Sequence, residues 1–363
     1  MAEQPSYPDV GVHSGKVMTV LGPIPVEDLG ITHVHEHTLV DSGVNGPEPA
    51  ETSRAHFFHR PLTMDILGAV RSLPQSNRDN QRMNDIPLLS TELREYTAWG
   101  GRTIVDQTLE GLGRDAVGVQ QISRRSGVNI VLGAGYYIGL SHPARLSGMS
   151  ADEIADEVVR DLTEGIPGTG VRAGIIGEIG LDTAVTDAEI KNLRGACQAS
   201  SRTGVPLSVH TNGMCPPETR LRILDIAEEE GADIRHTIID HVSLRPGNLD
   251  IHLEVARRGA FLAYDTISSD FNWGSRGSGK CDYEIAAEIR AVIDAGYLHH
   301  VLLSMDLHMK IMLTAYGGGG YGYILREFLP RLREQGITED QITAMLVDNP
   351  RRLFSSRYRD AAD

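Results

Sequence analysis

The scarcities of this 363-residue chain narrow its class before any motif does. Three cysteines, Cys197, Cys215 and Cys281, are widely spaced and odd in number, which matches neither a disulfide framework nor a paired CxxC zinc site. They read as free thiols. No apolar run approaches the roughly 20 residues a membrane-spanning helix requires, and the segment MAEQPSYPDVGVHSGK lacks a basic stretch followed by an apolar one. No membrane partner is expected, and the expected location is the cytoplasm. Positive charge is also short: 34 Lys and Arg stand against 49 Asp and Glu, a formal charge of −15 with no basic stripe to offset it. A phosphate backbone would be repelled on average, so the expected partner is a small-molecule substrate and not nucleic acid. Lysine itself is confined to Lys16, Lys191, Lys280 and Lys310, none of them within an expected strand.

The remainder is a globular composition, 40% hydrophobic and 23% charged. Short β-branched apolar runs alternate with amphipathic stretches and predict strands over Ile31 to His37, Thr103 to Gln107, Asn129 to Gly135, Ala173 to Glu178, Pro206 to His210, Thr237 to His241, Ala260 to Asp265 and Val301 to Asp306. Helical patterns such as SADEIADEVVRDLTEG fill the intervals, and several end in glycine just before the next strand. Repeats of this kind predict an α/β fold, a (β/α)8 TIM barrel forming one domain over residues 1–363. A doubly wound sheet, the runner-up, needs a topological switch point that such repeats supply less naturally. The connection from Leu39 to about Pro87 reads as a long insertion after strand 1 that shapes the barrel mouth. The cluster AYGGGGYGY, Ala315 to Tyr323, reads as a mobile loop, because no GK[ST] follows it to cradle a phosphate.

Barrel active sites gather at the carboxyl ends of the strands, which singles out His35, His37, Glu178, His210, His241 and Asp306. Alternation along a strand points His35 and His37 the same way and turns Glu36 toward the outer helices. His33 is expected on the face of His35 but one layer deeper, as a core residue. A single strand histidine is more often structural than a ligand; the argument rests on the collection. Imidazole with carboxylate suits zinc, or manganese or cobalt, and six ligands exceed one zinc site, so two divalent cations bridged by Glu178 are expected.

At these residues the chain resembles the phosphotriesterase family of the amidohydrolase superfamily. The resemblance runs through GKVMTVLGPIPVEDLGITHVHEHT, TIVDQT, GAGYY, RAGIIGEIG, GVPLSVHT, IIDHVS, VLLSMDLH and ITEDQITAMLVDNPRRLF, which is most of the chain in order. Within the family it is most similar to the phosphotriesterase-related proteins. The resemblance implies a buried cation on His35, His37 and Asp306, and a more exposed one on His210 and His241. Where many members carry a bridging carboxylated lysine, the matching segment here is AGIIGEIG, so Glu178 takes that place; IGEIGLD also resembles TatD-like deoxyribonucleases, which put a metal-binding glutamate in the same context. After strand seven, where phosphotriesterases have a histidine and related lactonases an arginine, this chain has Thr266.

The expected chemistry is hydrolysis of a carboxylic derivative of a small molecule, an amide, lactone or ester with the amide favoured, by a hydroxide shared between the cations. Asp306 is expected to accept the proton, or to serve only as a ligand, and Glu178 to hold the catalytic pair together. Tyr137, His308, Tyr264 and Thr266 are expected at the substrate, Tyr137 being favoured over Tyr136 by the resemblance to GAGYY segments. Asp265 could orient a ligand, and Arg276, Lys280 or Lys310 could meet a substrate carboxylate or sulfonate, or be simply solvated. A phosphotriester or phosphoester hydrolase is the alternative within the enzyme class, and a non-catalytic ligand-binding barrel with structural metal the alternative outside it. A homodimer is the default expectation for assembly.

Overall fold

In the computed structural model, residues 15–46, 48, 52–244, 248–269, 271 and 279–355 are described. Eight strands form one parallel sheet in chain order: β1 (Ile31–Glu36), β2 (Gly101–Asp106), β3 (Asn129–Ala134), β4 (Ile175–Leu181), β5 (Leu207–Thr211), β6 (Thr237–Ile239), β7 (Phe261–Tyr264) and β8 (Val301–Leu303). Each pairs in parallel with the next. The seam between β8 and β1 is closed by backbone bonds of the residues beyond β8: Asp306 N–H donates to His35 O at 3.1 Å and His37 N–H to Leu307 O at 3.2 Å. The backbone of the expected ligands therefore completes the barrel.

A helix follows each strand as the pattern requires: α1 (Ile86–Ala98), α2 (Ala116–Ser126), α3 (Ala151–Thr163), α4 (Asp187–Thr203), α5 (Thr219–Glu229), α6 (Leu249–Arg257), α7 (Asp282–Asp294) and α8 (Leu329–Glu334), the last preceded by a π-helical turn at Ile324–Phe328. In α4, Leu193, Ala196, Cys197 and Ser200 are buried at three- and four-residue intervals. A capping box of Thr186 and Glu189 starts that helix, and Gly204 at φ 69° stops it. No helix of the described residues is long and apolar enough to cross a membrane.

One end of the barrel is sealed. Val34, Val105, Val131, Ile175, Ile238, Ala263 and Leu302, from seven of the strands, pack with Val17, Leu29 and Phe354. Burying each such side chain contributes about 1.5–3 kcal/mol, and the layer sets the depth from which polar residues can begin. The opposite end carries the expected insertion, which holds the helices Thr52–Phe58 and Met64–Ser72 and pairs Val40–Asp41 with Arg82–Met83.

Three expectations change. Strand four does not stop at Glu178 but continues to Leu181, with a register shift against β5 between Ile176 and Ile179. Strands six and eight end early, at Ile239 and Leu303, and the ligands just beyond them, His241 and Asp306, have left-handed backbones, φ 55° and 48°. The glycine cluster is packed, contrary to the mobile loop expected. Gly318 N–H donates to Leu313 O and Gly320 N–H to Met312 O. A Cβ on Gly318 would meet the Met312 backbone at 2.3 Å, so glycine is required there by close approach.

Candidate metal centre

A bulge on β1 explains how HVHEH is used. The β1–β2 register shifts between His33 and Glu36, so strict alternation fails there. Val34 joins the sealing layer, and His35 and His37 turn to the carboxyl end of the barrel. His33 does not share their face, contrary to expectation: its ring lies 4.7 Å from that of Tyr96 on α1, and its Nδ1 is 3.0 Å from Glu36 Oε1. Glu36 points away from the cluster as expected, but its partners lie mostly on the β8 side. It accepts from the N–H groups of Met305 and Leu307, with Ser304 Oγ 2.9 Å from its Oε1, and so fixes the segment that delivers Asp306.

The structure brings the six expected ligands together. Glu178 is central: Oε1 lies 3.4 Å from His37 Nε2, while Oε2 lies 2.9 Å from His210 Nδ1, 3.6 Å from His35 Nε2 and 3.7 Å from His241 Nε2. Asp306 Oδ1 is 3.1 Å from His37 Nε2 and 3.7 Å from His35 Nε2, and His241 Nε2 is 2.8 Å from His210 Nδ1. Donors around a tetrahedral zinc with bonds of 2.0–2.1 Å stand roughly 3.3 Å apart, and these distances bracket that spacing. The Nε2 of His35 is buried without a hydrogen-bond partner, the condition a cation would relieve. Imidazole and carboxylate donors, the spacing and the orphaned nitrogen all fit divalent metal.

Electrostatics agree. Burial pushes the Glu178 carboxyl up, but the imidazoles around it, His35 foremost, hold it well below the usual carboxylate range. Asp306 is held low against burial by His308 and His37. Burial lowers His37, yet Asp306 and Glu178 bring it to about 9. His35 and His241 are raised against burial by Asp240 and Glu178 and by Asp265, whereas burial dominates at His210 and lowers it. Buried carboxylates here draw positive charge onto their neighbours, and a cation satisfies the same field.

Behind the cluster stands a layer that the sequence reading saw only in part. Asp265 Oδ1 takes the His241 Nδ1 side at 3.0 Å, and Oδ2 lies 3.0 Å from His35 Nδ1. Asp240 lies 3.5 Å from His35 Nδ1 and accepts from Ser208 Oγ, which accepts in turn from Gln107 Nε2. His37 Nδ1 is 2.9 Å from Thr108 Oγ1. Such partners fix tautomer and ring angle in metal sites. Asp240 is absent from the expected set; its signal in the sequence is its place beside His241 at a strand end, the same setting as Asp265.

The cluster opens into a cavity of about 670 Å³. Tyr137, His308 and Thr266 line it, as expected, together with Asn45 and Gln75 of the insertion and Asn212 after β5. Tyr264 does not. Strand alternation sends Ala263 into the sealing layer and Tyr264 outward, where it is fully buried with its hydroxyl 3.4 Å from His252 Nδ1 of α6. Lys280 is paired with Glu288, and Lys310 with Asp79 at 2.7 Å; neither lines the cavity, and Arg276 lies outside the described residues. The described walls of the cavity carry no lysine or arginine.

A parallel α/β barrel whose strand ends bring a set of imidazoles and carboxylates together under an open cavity defines a metal-dependent hydrolase. The chain belongs to the phosphotriesterase family, whose model matches residues 15–354. An N-acetyltaurine hydrolase of Salmo salar is 32% identical over 348 residues, 94% of this chain and 98% of the relative. A resiniferatoxin-binding protein from Rhodobacter sphaeroides has a crystal structure that matches with a TM-score of 0.93 at 42% identity, covering 96% of this chain and 97% of that one. The phosphotriesterase homology protein of Escherichia coli, solved with phosphate in its active site, matches with a TM-score of 0.75 at 29% identity, over 90% of this chain and 99% of that one.

Proposed function

We propose that the protein is a binuclear hydrolase that cleaves the amide of a small N-acylated amine. The observation that carries this is the two-sided placement of Glu178, one oxygen toward His37 and the other toward His210 and His241. His35, His37 and Asp306 would hold the buried cation and His210 and His241 the one nearer the cavity, with Glu178 on both; zinc suits the donors best, then manganese or cobalt. When bound, such a pair lowers the pKa of a shared water toward neutrality and polarises a carbonyl oxygen.

The chain's own groups do the rest. Asp306, whose side chain is 19% exposed where the neighbouring imidazoles of His35 and His37 are closed off, is the carboxylate placed to take a proton as the carbonyl is attacked. His308 Nδ1 lies 2.6 Å from the Asp306 carbonyl and 3.2 Å from Oδ1, so its Nδ1–H is committed there and its proton exchange occurs at Nε2, toward the leaving amine. The Tyr137 hydroxyl, over the edge of His210, is the neutral donor for a developing oxyanion. Asn45, Gln75 and Asn212 bring amide groups to a cavity whose described walls lack a guanidinium, which favours a hydrogen-bonding acyl amine. The amide preference is supported by the relatives that hydrolyse N-acetyltaurine.

Phosphate in the Escherichia coli homologue favours a second reading, phosphoester hydrolysis. A screen with metal-loaded protein decides between them: N-acetyltaurine and other acylated amines and amino acids, lactones and aryl phosphotriesters. The highest kcat/KM is expected on an acyl amine, and a phosphotriester turned over faster than every amide and lactone would overturn the assignment. Close to two metals per chain are expected by elemental analysis; a single tightly held metal with no turnover would favour the binding barrel instead.

A further inference from the structure

A second cavity, about 1080 Å³, opens beside the first at the same end of the barrel. Its walls come from the insertion helix Met64–Ser72, the turn after β7, the start of α7, and the glycine cluster with the π-helical turn after it. Ser268 lines this cavity and Ser269 the metal-centre cavity, so consecutive residues form a shared wall. Three guanidinium groups, of Arg71, Arg326 and Arg331, line it in a chain whose net charge is −15. Against the two acids of the same walls, Asp282 and Glu327, they leave a local excess of one positive charge, which favours an anion where the molecule as a whole repels one.

The arginines are set in place by the glycine cluster and the aromatic residues. Arg71 Nη1 donates to Gly317 O at 3.1 Å and Arg326 Nη2 to Gly319 O at 3.2 Å. The Arg331 guanidinium carbon lies 5.6 Å from the Tyr283 ring centroid and 5.8 Å from that of Tyr323. Of the acids nearby, Asp282 lies 3.9 Å from Arg331 Nη1, a loose pairing, and its shorter contacts are elsewhere. Asp282 accepts from Ser268 N–H at 2.9 Å and from the Tyr323 hydroxyl at 2.6 Å, and Glu327 accepts from Arg326 Nε at 2.9 Å. A guanidinium has five N–H donors in a planar fork that matches a carboxylate, and the carbonyl contacts of Arg71 and Arg331 use one nitrogen each. Phe271, Tyr283 and Tyr323 add ring surface to the same walls.

We propose that this cavity is an accessory binding site for a small aromatic carboxylate, separate from the metal centre and coupled to it through the Thr266–Ser269 turn. The carboxylate pairs with Arg331 and Arg71 and the ring packs on the aromatic wall. Coupling follows from Asp282. It holds the N–H of Ser268, a residue at φ 67°, and Ser269 N–H in turn donates to Thr266 O at 3.2 Å. A ligand that bears on Tyr323 and Asp282 therefore bears on the turn whose other side faces substrate.

The test uses the full metal-loaded chain and 4-bromobenzoate. Anomalous diffraction is expected to place bromine in the cavity bounded by Arg71, Arg331 and Tyr323, and bromine found only at the metal centre, or nowhere, overturns the proposal. By calorimetry, Arg331→Met and Arg71→Met should each weaken binding at least about tenfold, with Arg331→Lys between them and wild type. Arg71 is an exposed residue, so its variant tests the site even if Arg331→Met fails to fold. Wild-type affinity in both methionine variants overturns the site, and inorganic phosphate bound as tightly as 4-bromobenzoate overturns the aromatic part. Saturating 4-bromobenzoate should shift KM for the amide substrate in wild type and not in Arg71→Met; an unchanged wild-type KM overturns the coupling. The bromine position does not depend on turnover, so failure here is distinguishable from failure of the amide assignment.

Discussion

The two histidine pairs of the centre are built differently. His35 and His37 are part of the barrel's frame: Ser304 Oγ donates to His35 O and accepts from His35 N–H, and Thr108 meets the far nitrogen of His37. His210 and His241 stand at the cavity. The His210 ring meets Tyr137 and His241 edge to face, and both histidines line the cavity wall. The first pair closes the fold, and the second opens onto substrate. A cation on the first should therefore be the slower to leave.

Glu178→Gln breaks the comparison most completely, because Glu178 stands between the pairs with one oxygen toward His37 and the other toward His210. Turnover is expected to fall by at least about a thousandfold, with metal content dropping below two per chain, since a neutral amide cannot bridge two cations. Near-normal activity would mean that β4 supplies no bridge. Asp265→Asn should come next. Its carboxylate serves His241 and His35 together, so affinity for both cations should weaken about 10- to 100-fold, read by competition with a chromophoric chelator.

Chelation of the wild type sharpens the contrast further. Metal loss is expected in two phases, with activity disappearing in the fast one as the cation near His210 and His241 leaves. Thr108→Val, which removes the partner of His37, should accelerate only the slow phase, by about tenfold. Single-phase loss would show that the two pairs do not differ in the way their settings imply.

The barrel and the cluster were readable in the sequence for the same reason. Buried parallel strands write themselves as β-branched runs, and a set of imidazoles and carboxylates at the ends of five strands has few structural uses. What escaped was set by geometry that alternation cannot express. The bulge on β1 moved His33 to the outer side, and the parity of β7 turned Tyr264 outward to α6. Lys280 and Lys310 offered charge near the mouth, yet both are consumed by ion pairs, Lys280 with Glu288 on the helix that follows it and Lys310 with Asp79 far back in the insertion. The glycine cluster reads as freedom, whereas its residues are demanded by the closeness of Met312 and Tyr323.

Thr266 occupies the position where a change was expected to bear on substrate choice, and it should give the smallest functional effect. It lines the cavity, but its hydroxyl lies 2.6 Å from Ser243 Oγ and both residues are buried. Thr266→Val leaves the Ser243 hydroxyl without that partner, at a cost of about 1–3 kcal/mol measurable by denaturant unfolding. The Thr266 hydroxyl already has a partner in Ser243 and gains little from substrate, so kcat/KM on the acyl amine should change less than about threefold. A tenfold loss of kcat/KM with unchanged stability would reverse that order, and would make Thr266 a substrate contact whose bond to Ser243 is incidental.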